Sequence, residues 1–350
     1  MEKKINVSRF TDTKVLRFTV EFVTPCFLGG ADGNAELRVA PFKNLLRRWW
    51  RIANGKLSPE ELWKKESRLF GSTEKDPDII EFNRGKSKSE QKPESFGKSK
   101  VDLEIEQSNV HFSTELEKSE LKKFLYLGYG PVQAKTSDTK KYIKADSSIE
   151  IKLTIPNNEI NMMINVLTLI NLFGTIGSRS RKGFGSILIS PKPVNEEGGF
   201  NLCNLKRLRE ELPHLHEGIA NLCEDRKNYP YYLACDEKGM CCWNTSQKSS
   251  YNEVLEDMTN IYKNIVVTVK KQSSGRTILG SATEIKNTEI KRIPSPLLMK
   301  VVKQGEKYSG RILHLAYNIS GIFTHQTKVW NEVYIYLDSI GLKRFGGAVK

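Results

Sequence analysis

Apolar and polar residues alternate strictly from Lys14, where KVLRFTVEFVT places Leu16, Phe18, Val20 and Phe22 on one face and Arg17, Thr19 and Glu21 on the other. A period of two predicts a strand with one buried face. IEIKLTIP (149–156), VDLEIEQSNVHFS (from Val101) and the short ILIS (187–190) repeat the pattern. Two stretches follow the helical period instead. In FKNLLRRWWRIAN, Phe42, Leu45, Leu46, Trp49 and Ala53 share one arc, with Trp50 at its margin. Lys43, Arg47, Arg48 and Arg51 gather on the opposite arc, and Pro41 suits a first turn. Asn158 to Phe173 is apolar nearly all round and predicts a buried helix.

Between these lies LSPEELWKKESRLFGS, where Ser58 is placed to cap a helix and Gly71 to end it. From about 72 to 100 the pattern fades into Lys, Ser, Glu and Gly, which predicts a mobile insertion. The first 190 residues thus read strand, helix, strands, helix, strand, the ferredoxin-like order of which the RRM is one RNA-binding version. In the second half Cys203–Asn228 and Tyr251–Asn264 read as helices. NIVVTVKK, TILGSATEI, SPLLMKVVK and ILHLAYNIS read as strands, so a second α+β domain is expected after the linker-like PKPVNEEGG.

Length and charge sharpen this picture. At 350 residues the chain has room for two domains, placed at 1–192 and 193–350. Lys and Arg number 55 against 41 Asp and Glu, a net charge of +14 that favours a polyanionic partner or an anionic membrane. No apolar run reaches membrane-spanning length and the start MEKKINVSRF is polar, so nucleic acid is the expected partner, in the cytoplasm. The six cysteines, Cys26, Cys203, Cys223, Cys235, Cys241 and Cys242, form no C-x-x-C pair. They read as reduced thiols; Cys203, His214, His216 and Cys223 fit no common zinc spacing, and neither metal nor cofactor is expected.

The segment GTIGSRSRKGFGS (174–186) is the strongest chemical signal. A dinucleotide fingerprint needs glycines after a strand and before a helix, and here that order is reversed. A P-loop needs Gly-Lys followed by Ser or Thr, and here Lys182 is followed by Gly183 and Phe184. Two readings stay open. One is a clamp on a polynucleotide, with glycines for close approach, Arg179, Arg181 and Lys182 for phosphates and Phe184 for a base. The other is a tight helix-to-strand turn with Phe184 in the core.

TPCFLGGADG, AELR, PFKNLLRRWWR, ESRLFGS and GTIGSRSRKGFGS together resemble the RAMP superfamily, specifically the first-numbered Cmr subunit of type III-B CRISPR effector complexes. RIPSPLLMKVV resembles an element of that subunit's second domain. The resemblance implies an α+β chain of two ferredoxin-like (RRM-like, RAMP) domains in tandem. It implies other Cmr subunits, CRISPR guide RNA and target RNA as partners, with no catalytic role. The RNA-binding candidates are then Arg38, Lys43, Arg47, Arg48, Arg51, Gly177, Ser178, Arg179, Ser180, Arg181, Lys182, Gly183, Phe184 and Gly185. Two alternatives remain. One is a metal-independent endoribonuclease drawing on His111, His214, His216, His314, His325 or Asp32. The other is an adaptor whose basic faces dock acidic subunits.

Overall fold

The computed structural model describes residues 12–30, 34–84, 86–115, 125–132, 138–218, 232–270, 275–280, 294–316 and 326–346. The chain is a mixed α+β fold whose two halves each build a sheet. In the first half, strand β1 (Thr13–Phe22) leads into helix α1 (Val39–Ala53), then α2 (Pro59–Phe70). Next come β2 (Ser72–Lys75), α3 (Pro77–Asn83) and β3 (Ser95–Gly97), which occupy the segment expected to be mobile. There the Trp63 and Phe96 rings meet edge to face at 5.0 Å, and Arg68 grips Asp76 through two bonds of 2.9 Å. Strands β4 (Asp102–Asn109), β5 (Phe112–Glu115), β6 (Asp138–Ile143) and β7 (Ser148–Pro156) follow, then helix α4 (Ile160–Phe173) and strand β8 (Ile187–Pro191).

The main sheet runs β4-β7-β1-β8, all pairs antiparallel. Its alternation turns Leu16, Phe18, Val20 and Phe22 inward with Ile149, Ile151, Leu153 and Ile155, under α1 and α4. The α2 signals act as expected. The Ser58 hydroxyl accepts from Glu61 N–H at 3.3 Å while the Glu61 carboxylate accepts from Ser58 N–H at 3.1 Å, and Gly71 ends the helix at φ +82°. The opposite face of the sheet carries no aromatic ring on β1, β4 or β7. Arg17 pairs Glu106 at 3.1 Å, Lys152 pairs Glu104 at 3.2 Å and Lys192 pairs Glu150 at 3.6 Å. An RRM stacks bases on its sheet; this sheet presents paired charges instead.

The second half contains α5 (Leu205–Glu211), β9 (His216–Gly218), β10 (Tyr232–Asp236), β11 (Gly239–Met240) and β12 (Cys242–Asn244). After these come α6 (Tyr251–Val269), a single helical turn at Gly275–Ile278, β13 (Leu297–Gln304), β14 (Lys307–Ala316), α7 (Gln326–Ser339) and β15 (Lys343–Arg344). Around β14 the strands lie in the order β13-β14-β12-β15, all antiparallel, and β10 continues the β12 edge along β14. NIVVTVKK was expected as a strand and is instead the end of α6. Its β-branched residues favour strands locally, yet Ile261, Ile265 and Val269 recur every four residues and bury one helical face. The helix expected over Cys203–Asn228 is α5 alone up to Glu211, followed by a 3-10 turn and β9; residues 219–231 lie outside the described set. TILGSATEI opens in the helical turn, and its later residues also lie outside that set.

The two halves interlock through buried polar contacts. Lys300, on β13 and 1 % exposed, donates to the Ile170 and Asn171 carbonyls at 3.1 and 2.7 Å. Arg311, on β14, donates to the Leu172 carbonyl at 3.0 Å. Side-chain N–H donors of one half thus cap the carbonyl end of α4 in the other, where the helix leaves acceptors unpaired, and burial lowers the pKa of Lys300 well below the usual lysine value.

Candidate nucleic-acid interface

Helix α4 ends at Phe173, and the chain returns as β8 at Ile187, so the glycine-rich segment is the turn between them. Its base is locked. Thr175 bridges Ser186, Ile176 N–H reaches the Gly185 carbonyl at 2.8 Å, and Gly185 N–H reaches the Pro25 carbonyl at 2.9 Å. Two glycines are there of necessity. Gly185 has φ +59°, and a side-chain carbon would lie 1.8 Å from the Ile176 carbonyl oxygen; Gly177 has φ +88°, and its carbon would lie 2.7 Å from the Phe27 carbonyl oxygen. Gly183 faces α6, where a methyl would meet Leu255 and Met258, each at 2.8 Å.

This packing divides the candidate residues. Phe184 is 1 % exposed and lies 5.5 Å from the Phe27 ring, so it is core and offers no face to a base. Arg181 is turned toward the second half, donating to the Ser295 carbonyl. Lys182 lies over the Tyr262 ring, its nitrogen 3.4 Å from the centroid and 3.3 Å from Ser295 Oγ. Burial, and then the charges of Arg179 and Arg181, push its pKa well below the usual lysine value. Residues 177 to 179 are the exposed tip, and Arg179 takes the left-handed conformation at φ +57°.

Helix α1 divides the same way. Arg47 Nε and Arg51 Nε reach the two oxygens of Glu66 on α2 at 2.8 and 2.5 Å, and that carboxylate is almost fully buried. Lys43 donates to the Val101 carbonyl at 3.0 Å. These three cations therefore serve packing between α1, α2 and the start of β4. Arg38 and Arg48 lie on another side of the helix, beside the glycine turn, and Arg38 donates to the Gly29 carbonyl at 2.9 Å. The expected single stripe is two faces, because residues one position apart on a helix point about 100° apart.

Two depressions flank the exposed tip and share Phe27, Gly29, Gly177, Ser178 and Ser180 as their common ridge. One, of about 460 Å³, is bounded by α1 through Arg38, Asn44 and Arg48. The other, of about 700 Å³, is bounded by Arg179, Arg181, Lys182, Gly130, Pro131, Lys140 and Lys141 on one side and Pro294 and Ser295 on the other. No carboxylate lines either depression among the described residues. Cations gathered beside exposed glycine backbone make a surface suited to phosphates. Sequence reading missed Lys140 and Lys141. They fall on the short strand β6, and only its pairing with β5 and the bond from Lys140 N–H to the Pro131 carbonyl at 3.1 Å bring them to the cleft.

Of the histidine candidates, His314 is buried on β14, stacked at 3.8 Å on Trp330 with its Nδ1 on the Tyr334 hydroxyl. Burial pushes its pKa down to about 3, so it stays neutral in the core. His111 lies at the start of β5, where its N–H donates to Ser147 Oγ at 3.1 Å. Asp32, His325 and Cys223 lie outside the described residues. Cys203 donates to Asn165 Oδ1 at 3.3 Å, and no cluster of three metal-ligating side chains occurs among the described residues.

Residues 19–188 match the RAMP superfamily. Among solved structures, apo Cmr1 from Pyrococcus furiosus is similar in fold at a TM-score of 0.54 and 17% identity, over 94% of this chain and 98% of that one. A chain of the type III-B Cmr-beta complex bound to cognate target RNA aligns at 11% identity and a TM-score of 0.49, over 93% and 99% of the two chains. A chain of the same kind of complex with cognate target RNA and AMPPnP, in the presence of ssDNA, aligns at 12% and 0.47, over 94% and 99%. No curated protein sequence matches the chain.

Proposed function

We propose, from the match of residues 19–188 to the RAMP superfamily, that the protein is a non-catalytic RNA-binding subunit of a type III-B CRISPR (Cmr) ribonucleoprotein. In this reading it acts in the cytoplasm in antiviral defence, beside other Cmr subunits, and touches the 3′ region of the guide RNA, the facing target RNA, or both. Each half is a ferredoxin-like unit, a reading supported by the matching orders β4-β7-β1-β8 and β13-β14-β12-β15, each with a helix after its first and third strands. Among the described residues no helix is long and apolar enough to cross a membrane.

The observation that carries the proposal is the cleft itself. It sets Arg38, Arg48, Lys140, Lys141 and Arg179 around an exposed glycine turn with no acidic residue in its described lining. If roughly three to five of these neutralise phosphates, the logarithm of affinity for single-stranded RNA falls with the logarithm of salt at a slope of about −2 to −3.5. Anisotropy titrations of the full chain with labelled RNA at several salt concentrations measure it. Reversing Arg179 and Lys140 to Glu should flatten the slope by about 1.4, whereas Arg47→Ala should leave it unchanged because that guanidinium sits on Glu66. Affinity that does not respond to salt would sink the proposal.

A further inference from the structure

The rim of the larger cleft carries a ring that the phosphate-binding reading leaves unused. Tyr129 is 65% exposed, the most open aromatic among the described residues. Single exposed aromatics are common on proteins; what distinguishes this one is how its backbone is held. It stands between two glycines that press onto the glycine turn. A methyl at Gly128 would come within 3.0 Å of Phe184 Cζ, and one at Gly130 within 3.4 Å of Arg179 Nη2. Gly130 also has φ +109°, a conformation closed to other residues. Leu127 and Val132, on either side, are buried. The main chain under Tyr129 is therefore seated on the turn that bears Arg179, while the ring is left to solvent.

A second exposed ring neighbours a lysine of the cleft. Phe112, 40% exposed on β5, lies 4.9 Å from Lys141 Nζ. The bond from Lys140 N–H to the Pro131 carbonyl joins that strand pair to the Tyr129 turn. Two exposed rings thus neighbour cleft-lining cations, Phe112 beside Lys141 and Tyr129 next to Gly130, which packs against Arg179. Single-stranded nucleic acid asks for this combination: cations along the backbone, and faces on which unpaired bases stack regardless of sequence. A duplex hides its base faces and would leave the rings unused.

Resting on the RNA-binding reading above, we propose that Tyr129 is a stacking platform for an unpaired nucleobase at the rim of the cationic cleft, with Phe112 as a second platform beside Lys141. The site thereby favours single-stranded over double-stranded RNA and reads no base identity.

The test uses the full chain and three probes of equal length: a single-stranded RNA, the same strand in a duplex, and the same strand with its bases removed at successive positions. Tyr129→Ala should weaken binding of the intact single strand by about tenfold, the loss expected for one stacked base. It should leave the salt slope unchanged and the thermal midpoint close to unchanged, because no charge and little buried area is removed. Tyr129→Phe should bind as the unaltered protein does, and Tyr129→Ala with Phe112→Ala should lose more than either alone. The abasic strand and the duplex should bind the unaltered protein and Tyr129→Ala equally. If the unaltered protein binds RNA with the expected salt slope but Tyr129→Ala binds the intact strand normally, the stacking site is overturned and the RNA-binding reading stands. An equal loss on the abasic strand also overturns it, since the ring would then act without a base. If the unaltered protein binds none of the probes, both readings fall.

Discussion

His314 makes the stability of the second half depend on pH in a window where few other groups titrate. The imidazole is 1 % exposed, stacked on Trp330 and bonded to the Tyr334 hydroxyl, with burial depressing its pKa from 6.5 to about 3. A folded-state value below the unfolded one means that the unfolded chain binds the proton first on acidification. The stability is therefore complete above about pH 6.5 and is lost as pH falls toward 3. At about 1.36 kcal/mol per pH unit between the two values, going from pH 7 to pH 5 costs about 2 kcal/mol through this residue alone. Carboxylates contribute little there, because their unfolded forms protonate mostly below pH 5. Urea unfolding of the unaltered protein and of His314→Asn at pH 7, 6 and 5 measures the effect, and slopes rather than absolute stabilities are compared because the variant also changes packing. The unaltered protein should lose about 2 kcal/mol more than the variant across the range. Parallel losses in the two proteins would refute the reasoning and place the imidazole in contact with water.

The remaining expectations concern the turn and the joint between halves. Gly185→Ala should destabilise by at least about 2 kcal/mol or abolish folding, since a left-handed backbone angle and a carbon 1.8 Å from a carbonyl oxygen must both be accommodated; Gly29→Ala, which meets nothing within 4 Å, should be close to neutral by the same thermal melt. Lys300→Ala should cost about 2–4 kcal/mol in urea unfolding, because it strips the Nζ donor from the Ile170 and Asn171 carbonyls and leaves a cavity at the joint.

Much of the first sheet was legible because its strands have one wet face. Leu16, Phe18, Val20 and Phe22 alternate with charged and polar residues, and that period survives any tertiary context in which one face is covered. The α2 boundaries were legible for a different reason: the Ser58 cap and Gly71 are local devices whose chemistry acts within a few residues. The end of α6 was not legible. Ile265, Val266, Val267 and Val269 carry the composition of a strand, and only the continuous apolar face from Val254 through Ile261 to Val269 holds them in a helix.

For the site, sequence alone determined that a basic, glycine-rich turn would join an apolar helix to a strand, and that neither nucleotide-binding motif was present. It could also weigh Phe184 as core. The tertiary structure decided which cations are available. Glu66, nineteen residues after Arg47, pairs with Arg47 and Arg51; Ser295 and Tyr262, more than a hundred and about eighty residues further on respectively, draw in Arg181 and Lys182. In exchange, β6 and the Tyr129 turn bring Lys140, Lys141 and an exposed ring to the same cleft. A charge is written locally, but whether it faces a partner depends on which distant carbonyl, carboxylate or ring folds against it, and periodicity carries no information about that.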